Sequence, residues 1–271
     1  MTNVQKSGKK PAVPQPKPYM KGSPVDGNTV STALKFCLAE ILGLFLVFLL
    51  SNVFQIGNIG LRVVVCMLIE VLYLAIFYNS AVPRGSEAVS RGEIFLGREE
   101  KAHDVTPAER ASCYHPLKGY VTGILGTLPL LICAIILALT AEKQTTGVGV
   151  LPAWLSTYER RSDIGDALVA YNTTAGLSLQ GLMRVIVRVA LMPFIVMAGA
   201  DNHTALLLIE RLSPVLVLLP ALAYGTGYLG GPKERARVHA EIEKNNRRKA
   251  KQESKKRKAR SAKPREPEQL N

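Results

Sequence analysis

The sequence has few of the residues on which soluble chemistry is usually built. Its 271 residues include four cysteines. Cys37, Cys66 and Cys133 lie inside apolar runs, where a free thiol behaves as a small hydrophobe. No paired spacing marks a disulfide framework, so no oxidising compartment is implied. There is one tryptophan, and aromatics make up 6% of the chain. A P-loop, a GxGxxG after a strand and an HExxH are all missing, so the common nucleotide, dinucleotide and zinc-hydrolase chemistries have no carrier. The first thirty residues are rich in Lys, Pro and Gly, and no small-residue cleavage site follows the first apolar run. That run is therefore expected to stay as a membrane anchor. No internal repeat is visible, which counts against an inverted-repeat transporter.

What is present is a strong segregation of charge. Residues 1–32 carry five Lys and one Asp, and residues 231–271 carry fifteen Lys/Arg and six Glu. These two ends hold the entire formal charge of +13, and residues 33–230 contain fourteen charges of each sign. The sequence thus divides into a basic N-tail (1–32) expected to be disordered, an apolar domain (33–230) and a basic C-tail (231–271).

Five apolar segments fill the middle: 36–54, 60–82, 120–140, 179–200 and 204–229. Each has about 20 residues, enough at about 1.5 Å per residue to cross a hydrocarbon layer of about 30 Å. Lipid offers the backbone no hydrogen-bond partners, so such segments must be helical. The expected fold is an all-α membrane protein, a helical bundle of five apolar segments with four or five crossings and basic cytoplasmic tails. Gln55 to Asn58 makes a tight hairpin of the first two segments. Residues 83–118 read as a charged loop with six basic and six acidic residues. Residues 141–178 read as a second loop, with Trp154, Tyr158 and Tyr171 as interfacial anchors.

Basic residues near membrane ends favour the cytoplasm. With the N-terminus inside and the fourth segment stopping short, 27 of the 34 Lys/Arg fall on the cytoplasmic face; no five-crossing arrangement does as well. The fourth segment suits this role, because Arg184 and Arg188 share one helical face and Pro193 breaks the ladder behind them. The resulting location is the cell (cytoplasmic) membrane, with both termini cytoplasmic.

Several charges sit where a charge costs about 2.5–3.5 kcal/mol to insert and therefore demands a partner or water. Glu70 lies at the centre of the second segment. Glu210 and Arg211 stand side by side about 9 Å inside the fifth. Arg62, Arg184 and Arg188 are the available bases, and at least one of the two acids is expected to meet an arginine of the fourth segment. The functional reading of this network is a polar cavity for an ion, a proton or an anionic headgroup. The plainer reading is an ionic tie between helices. Gly119, Gly123 and Gly126 favour close helix approach, and Pro214 and Pro220 with Gly225, Gly227 and Gly230 are expected to bend and loosen the fifth segment.

His103, Asp104, Cys113 and His115 fall within thirteen residues and are all possible metal ligands, but their spacing matches no zinc pattern. Ser112, Cys113 and His115 include a nucleophile and a base with nothing to orient them. No cofactor is indicated. The C-tail should leave the fifth segment as a helix. Its basic run, Arg247, Arg248, Lys249, Lys255, Lys256, Arg257 and Lys258, suits anionic lipid headgroups or the phosphates of RNA, including a ribosome. With no aromatic residue after Tyr228, base stacking is unavailable. The leading expectation is a scaffold or assembly-type membrane protein whose C-tail contacts anionic lipid or RNA. A small transporter or channel subunit using the Glu/Arg network is second, and an intramembrane lipid-acting enzyme third.

Overall fold

The computed structural model describes residues 17–53, 57–141, 158, 161, 163–164, 179–199 and 202–261. The interfacial anchors Trp154 and Tyr171, and most of the second loop, lie outside the described residues. Among those residues the protein is helical and contains no strand. Its helices are α1 (Thr29–Val53), α2 (Ile59–Glu99), α3 (Pro107–Ser112), α4 (Lys118–Thr140), α5 (Leu179–Ala190), α6 (Met192–Ala198), α7 (His203–Val217), α8 (Leu219–Leu229) and α9 (Gly231–Ser261).

Local chemistry sets several of the starts. The Asn58 side chain accepts hydrogen bonds from the Gly60 and Leu61 amides at the head of α2. Asn202 accepts from Ala205 at the head of α7. Thr106 and Glu109 form a reciprocal capping box with Pro107 in the first turn of α3. Each satisfies amides that no helical carbonyl can reach.

Four stretches are long and apolar enough to cross a membrane: Thr29–Ser51, Ile59–Glu99, Lys118–Thr140 and His203–Lys256. Only 22% of the most apolar window of α1 is buried within the protein. Leu34, Leu38, Ile41, Leu42 and Phe45 lie on its outer face, all more than half exposed. An apolar surface of that extent is suited to lipid and not to water.

The fourth apolar segment is different. α5 and α6 meet at Leu191 with a bend of 88°, and Pro193 opens the second arm. Arms of 12 and 7 residues at a right angle separate their ends by about 21 Å, short of a layer of about 30 Å. The pair is re-entrant. Gln180, at its start, donates to the Thr140 carbonyl at the end of α4. Gly199, at its finish, lies against Arg62 at the start of α2. Both arms therefore open toward the same end of the bundle, and the tip at Leu191 and Phe194 reaches inward.

Two buried clusters hold the helices together. One joins α1, α2 and α8 through Phe36, Ile69, Tyr73, Phe77, Tyr224 and Tyr228. The other joins α4, α5 and α7 through Ala134, Leu137, Val187, Leu191 and Val217. Glycines set the closest approaches. A Cβ on Gly227 would stand 2.2 Å from the Tyr78 carbonyl oxygen, and one on Gly85 would stand 2.4 Å from that of Tyr228. A Cβ on Gly123 would meet Ala221 at 3.0 Å, and one on Gly126 would meet the Ala33 carbonyl oxygen at 2.8 Å. These are the small-residue contacts that let helix backbones touch in the absence of a hydrophobic drive between helices.

Three expectations are corrected. Residues 83–99 are not loop: α2 runs through Pro83 to Glu99 as one helix of 41 residues. Pro83 removes one backbone hydrogen bond, but the helix beyond it is held by packing. Ala88 and Val89 are buried, and Gly85 lies against Gly231 of α9. Residues 17–32 are not a disordered tail. The Met20 amide donates to the Gly92 carbonyl and the Gly22 amide to that of Tyr114, Tyr19 packs edge-on against Tyr114, and α1 already begins at Thr29. Residues 1–16 lie outside the described residues. Finally, Gly225 and Gly227 do not loosen the fifth segment, since both are pressed against neighbouring helices, Gly225 at the Tyr120 ring and Gly227 at Tyr78.

Candidate functional site

The sequence singled out an intramembrane network, and part of it assembles. Arg184 and Arg188 are one helical turn apart on α5, so both point at α7, where Glu210 is buried. Glu210 Oε1 accepts from Arg184 Nε at 2.9 Å and Arg188 Nε at 2.8 Å. Glu210 Oε2 accepts from Arg184 Nη2 at 3.2 Å. The Glu210 side chain is 3% exposed, and the contact belongs to the re-entrant pair. The groove beside it, lined by Val187, Leu191, Ile195, Leu206 and Ile209, has a volume of about 0 Å³. Water has no room there. The cluster ties the re-entrant pair to the bundle.

The other members stand apart. Arg211 is exposed on the outer face of α7, about 100° around the helix from its neighbour. Arg62 lies near Gly199, and its Nε is buried without a hydrogen-bond partner. Glu70 meets no arginine among the described residues. Instead it shares a void of about 10 Å³ with Glu40, Tyr73 and the re-entrant tip, room for about one water at most. Glu40, 3% exposed, accepts from Thr127 Oγ1 at 3.3 Å. Its part in this group was missed from the sequence because it sits near the start of a segment, where a carboxylate reads as a boundary. Only the fold shows that it faces Glu70.

The candidate metal ligands do not converge. Among the described residues no group of three His, Cys, Asp or Glu could hold an ion. His103 and Asp104 are exposed, and the His115 ring accepts from the Leu117 amide. Cys113 is fully buried. Burial pushes its thiol pKa up, and the charges of Lys118, Arg110 and Arg91 offset this only in part. A thiol so placed is a poor nucleophile and a poor ligand at neutral pH.

Beyond the bundle, α9 is the most prominent feature. It continues from α8 and packs along the part of α2 that projects past Pro83. Glu93 of α2 clamps it: Glu93 Oε2 is 2.9 Å from Arg235 Nη2, and Glu93 Oε1 is 2.9 Å from His239 Nε2. Burial pushes the Glu93 carboxyl up, but the hydrogen bonds and charges of Arg235 and His239 outweigh it and hold the pKa below the ordinary value. Past Ile242 the helix is exposed. There its own i,i+4 pairs, such as Arg247 with Glu243, add small increments to good propensity. The basic run Arg247 to Lys256 is exposed along this part of α9. Arg257 and Lys258 continue the helix.

No family model matches the chain, and no curated protein and no solved structure matches it.

Proposed function

We propose that the protein is a membrane-anchored scaffold that holds a basic helix clear of the cell membrane, on its cytoplasmic side, to engage the phosphates of RNA. One observation carries the reading: Glu93 fixes α9 alongside the projecting half of α2. Arg247 to Lys258 follow Leu229 by 18 to 29 residues of helix, which places them about 27–44 Å beyond the apolar bundle. The attraction of anionic headgroups falls off within a Debye length of about 8 Å. The clamp thus favours a polyanion in solution over the lipid surface. With no aromatic side chain along α9, the contact would be with phosphates and not with bases. The transport alternative has the tight interior against it.

The test uses the full-length protein in nanodiscs of neutral lipid, titrated with unstructured single-stranded RNA across a salt series. If about five phosphates are neutralised, affinity should fall about 100-fold between 50 and 200 mM salt. Replacing Arg247, Arg248, Lys249, Lys255 and Lys256 with Gln should abolish binding. No binding at 50 mM salt, or binding that appears only with anionic lipid in the disc, would refute the reading.

A further inference from the structure

A second polar site lies at the end of the bundle from which α9 emerges, and it is independent of the basic helix. Here the starts of α1 and α4, the Arg84 to Arg91 stretch of α2 and the end of α8 enclose a pocket of about 320 Å³. That is at the lower end of the range for ligand sites, about 300–1,000 Å³. Its depth is that of lipid headgroups, because Arg84 comes two residues after the apolar run of α2 and Lys118 two residues before that of α4.

Four cations and two acids line it: Lys35, Arg84, Arg91, Lys118, Asp26 and Glu87. Both acids are taken. Asp26 Oδ2 is 2.7 Å from Lys118 Nζ, and Asp26 Oδ1 accepts from Thr29 Oγ1 and the Asn28 amide. Glu87 pairs with Arg91 one turn along the same helix. Two cations are left without a carboxylate among the described residues. Lys35 is exposed at the rim. Arg84 is half-buried and donates through Nη1 to Tyr224 Oη at 3.0 Å, its guanidinium resting 5.8 Å above that ring. Among the described residues its other donors have no acceptor. A planar fork with no carboxylate partner among the described residues and a second positive charge together form a donor set for an oxyanion, and the fork suits two oxygens of one phosphate.

We propose that this pocket binds a phosphate group, held by Arg84 and Lys35, and that the phosphate is that of an anionic phospholipid headgroup. The flanking surface fits acyl chains. Val30, Leu34 and Leu38 of α1 are 73%, 63% and 55% exposed and run from the rim of the pocket down the outer face of the bundle.

The test measures thermal unfolding of the full-length protein in a non-ionic detergent. Three additives are titrated: dioctanoyl phosphatidylglycerol, dioctanoyl phosphatidylcholine and inorganic phosphate. The glycerol lipid should stabilise saturably, at a half-point about tenfold below that of the choline lipid. Arg84→Gln and Lys35→Gln should each weaken that half-point about fivefold or more. Lys35 is exposed, so K35Q keeps the fold and decides the matter if R84Q does not yield folded protein. Saturation by inorganic phosphate at the same half-point, lost in K35Q, would support the phosphate site and assign it a soluble source. Equal responses to the two lipids with no response to phosphate, or half-points unchanged in K35Q and R84Q, would overturn the proposal.

Discussion

Replacing Glu210 with Gln should damage this protein far more than replacing either arginine that holds it. Glu210 is one carboxylate between two guanidiniums, so these three residues carry a net charge of +1. Removing Arg188 leaves Glu210 doubly bonded to Arg184. Removing Glu210 takes from both guanidiniums the carboxylate they share, beside a groove with no room for water. Breaking a buried ion pair by deleting one partner typically costs about 3–5 kcal/mol, because the charge left behind stays desolvated. At about 2–4 °C per kcal/mol for a chain near this size, the midpoint of E210Q should fall by about 6–20 °C. R188Q loses hydrogen bonds to a charged acceptor but leaves Glu210 bonded to Arg184, and should cost about 1.5–3 kcal/mol.

The assay is unfolding in detergent followed with a thiol-reactive fluorogenic dye. Cys66 and Cys113 are both fully buried and become reactive only when the bundle opens. A triple variant sharpens the test. Arg184→Met, Arg188→Met and Glu210→Leu together remove the charges of the cluster among the described residues, and replacing a buried ionic group by apolar residues is often neutral or stabilising. The triple variant should therefore unfold at a higher temperature than E210L alone, although it carries two more substitutions. If R188Q proved more damaging than E210Q, or if the three changes simply added, the cluster would not be the desolvated tie described here.

Other outcomes follow from the same geometry. Glu40 and Glu70 face each other with no cation in ion-pair range among the described residues, so E70Q and E40Q should leave the midpoint within about 2 °C or raise it. Gly227→Ala places a methyl group 2.2 Å from a backbone oxygen, and backbone cannot swing aside as a side chain can. A loss of at least the about 1–3 kcal/mol of ordinary overpacking is expected, read as a drop in the same melt. Glu93 and Asp26 both have pKa values held below the ordinary 4.5 and 3.8. For Asp26, burial pushes the carboxyl up, but Lys118, Thr29 and the Asn28 amide outweigh it. A depressed folded value means that stability is fully present above the unfolded pKa and is lost as pH falls through the folded one. Melts should weaken below about pH 4.5, and E93Q should flatten part of that acid limb while speeding tryptic cleavage at Arg235 and Arg237. Single cysteines placed at His103, Asn202 and Ala250 in a cysteine-free background should label from two sides, with 103 and 250 together and 202 opposite.

Features carried by spacing within one segment were readable from the sequence. Arg184 and Arg188 at i,i+4 had to share a face, and Pro193 two positions past Leu191 had to interrupt the ladder. Gly119, Gly123 and Gly126 had to line one stripe. Features that depend on a second segment were not. Pro83 marks a helix end when α2 is read alone; it becomes an interior position because α9 lies along the far half and supplies packing that no local rule foresees. Tyr19 to Asp26 read as tail because their partners, Gly92, Tyr114 and Lys118, are about 70 to 100 residues away. The bundle-end pocket draws on four distant stretches for the same reason. Glu40 illustrates a third case. Its position was plain, but whether it faces lipid or Glu70 depends on helix rotation, which the hydrophobic pattern of an almost wholly apolar segment barely constrains.

The placement of polar groups also decides between a conduit and a platform. A conduit needs its buried polar groups joined by water or by one another across the layer. Here the described polar groups form islands. Glu210 with its arginines is sealed by Leu191, Ile195 and Leu206, and Glu40 with Glu70 surrounds a void of about 10 Å³. The apolar residues Leu191 and Val217 belong to the packed cluster shared by α4, α5 and α7. A sizeable polar space, about 320 Å³, lies at the bundle end, beside the projecting pair of α2 and α9. Among the described residues, an interior without open space and a polar pocket at one end favour the platform proposed above: what leaves the bundle is a helix carrying a run of positive charge, held by one glutamate.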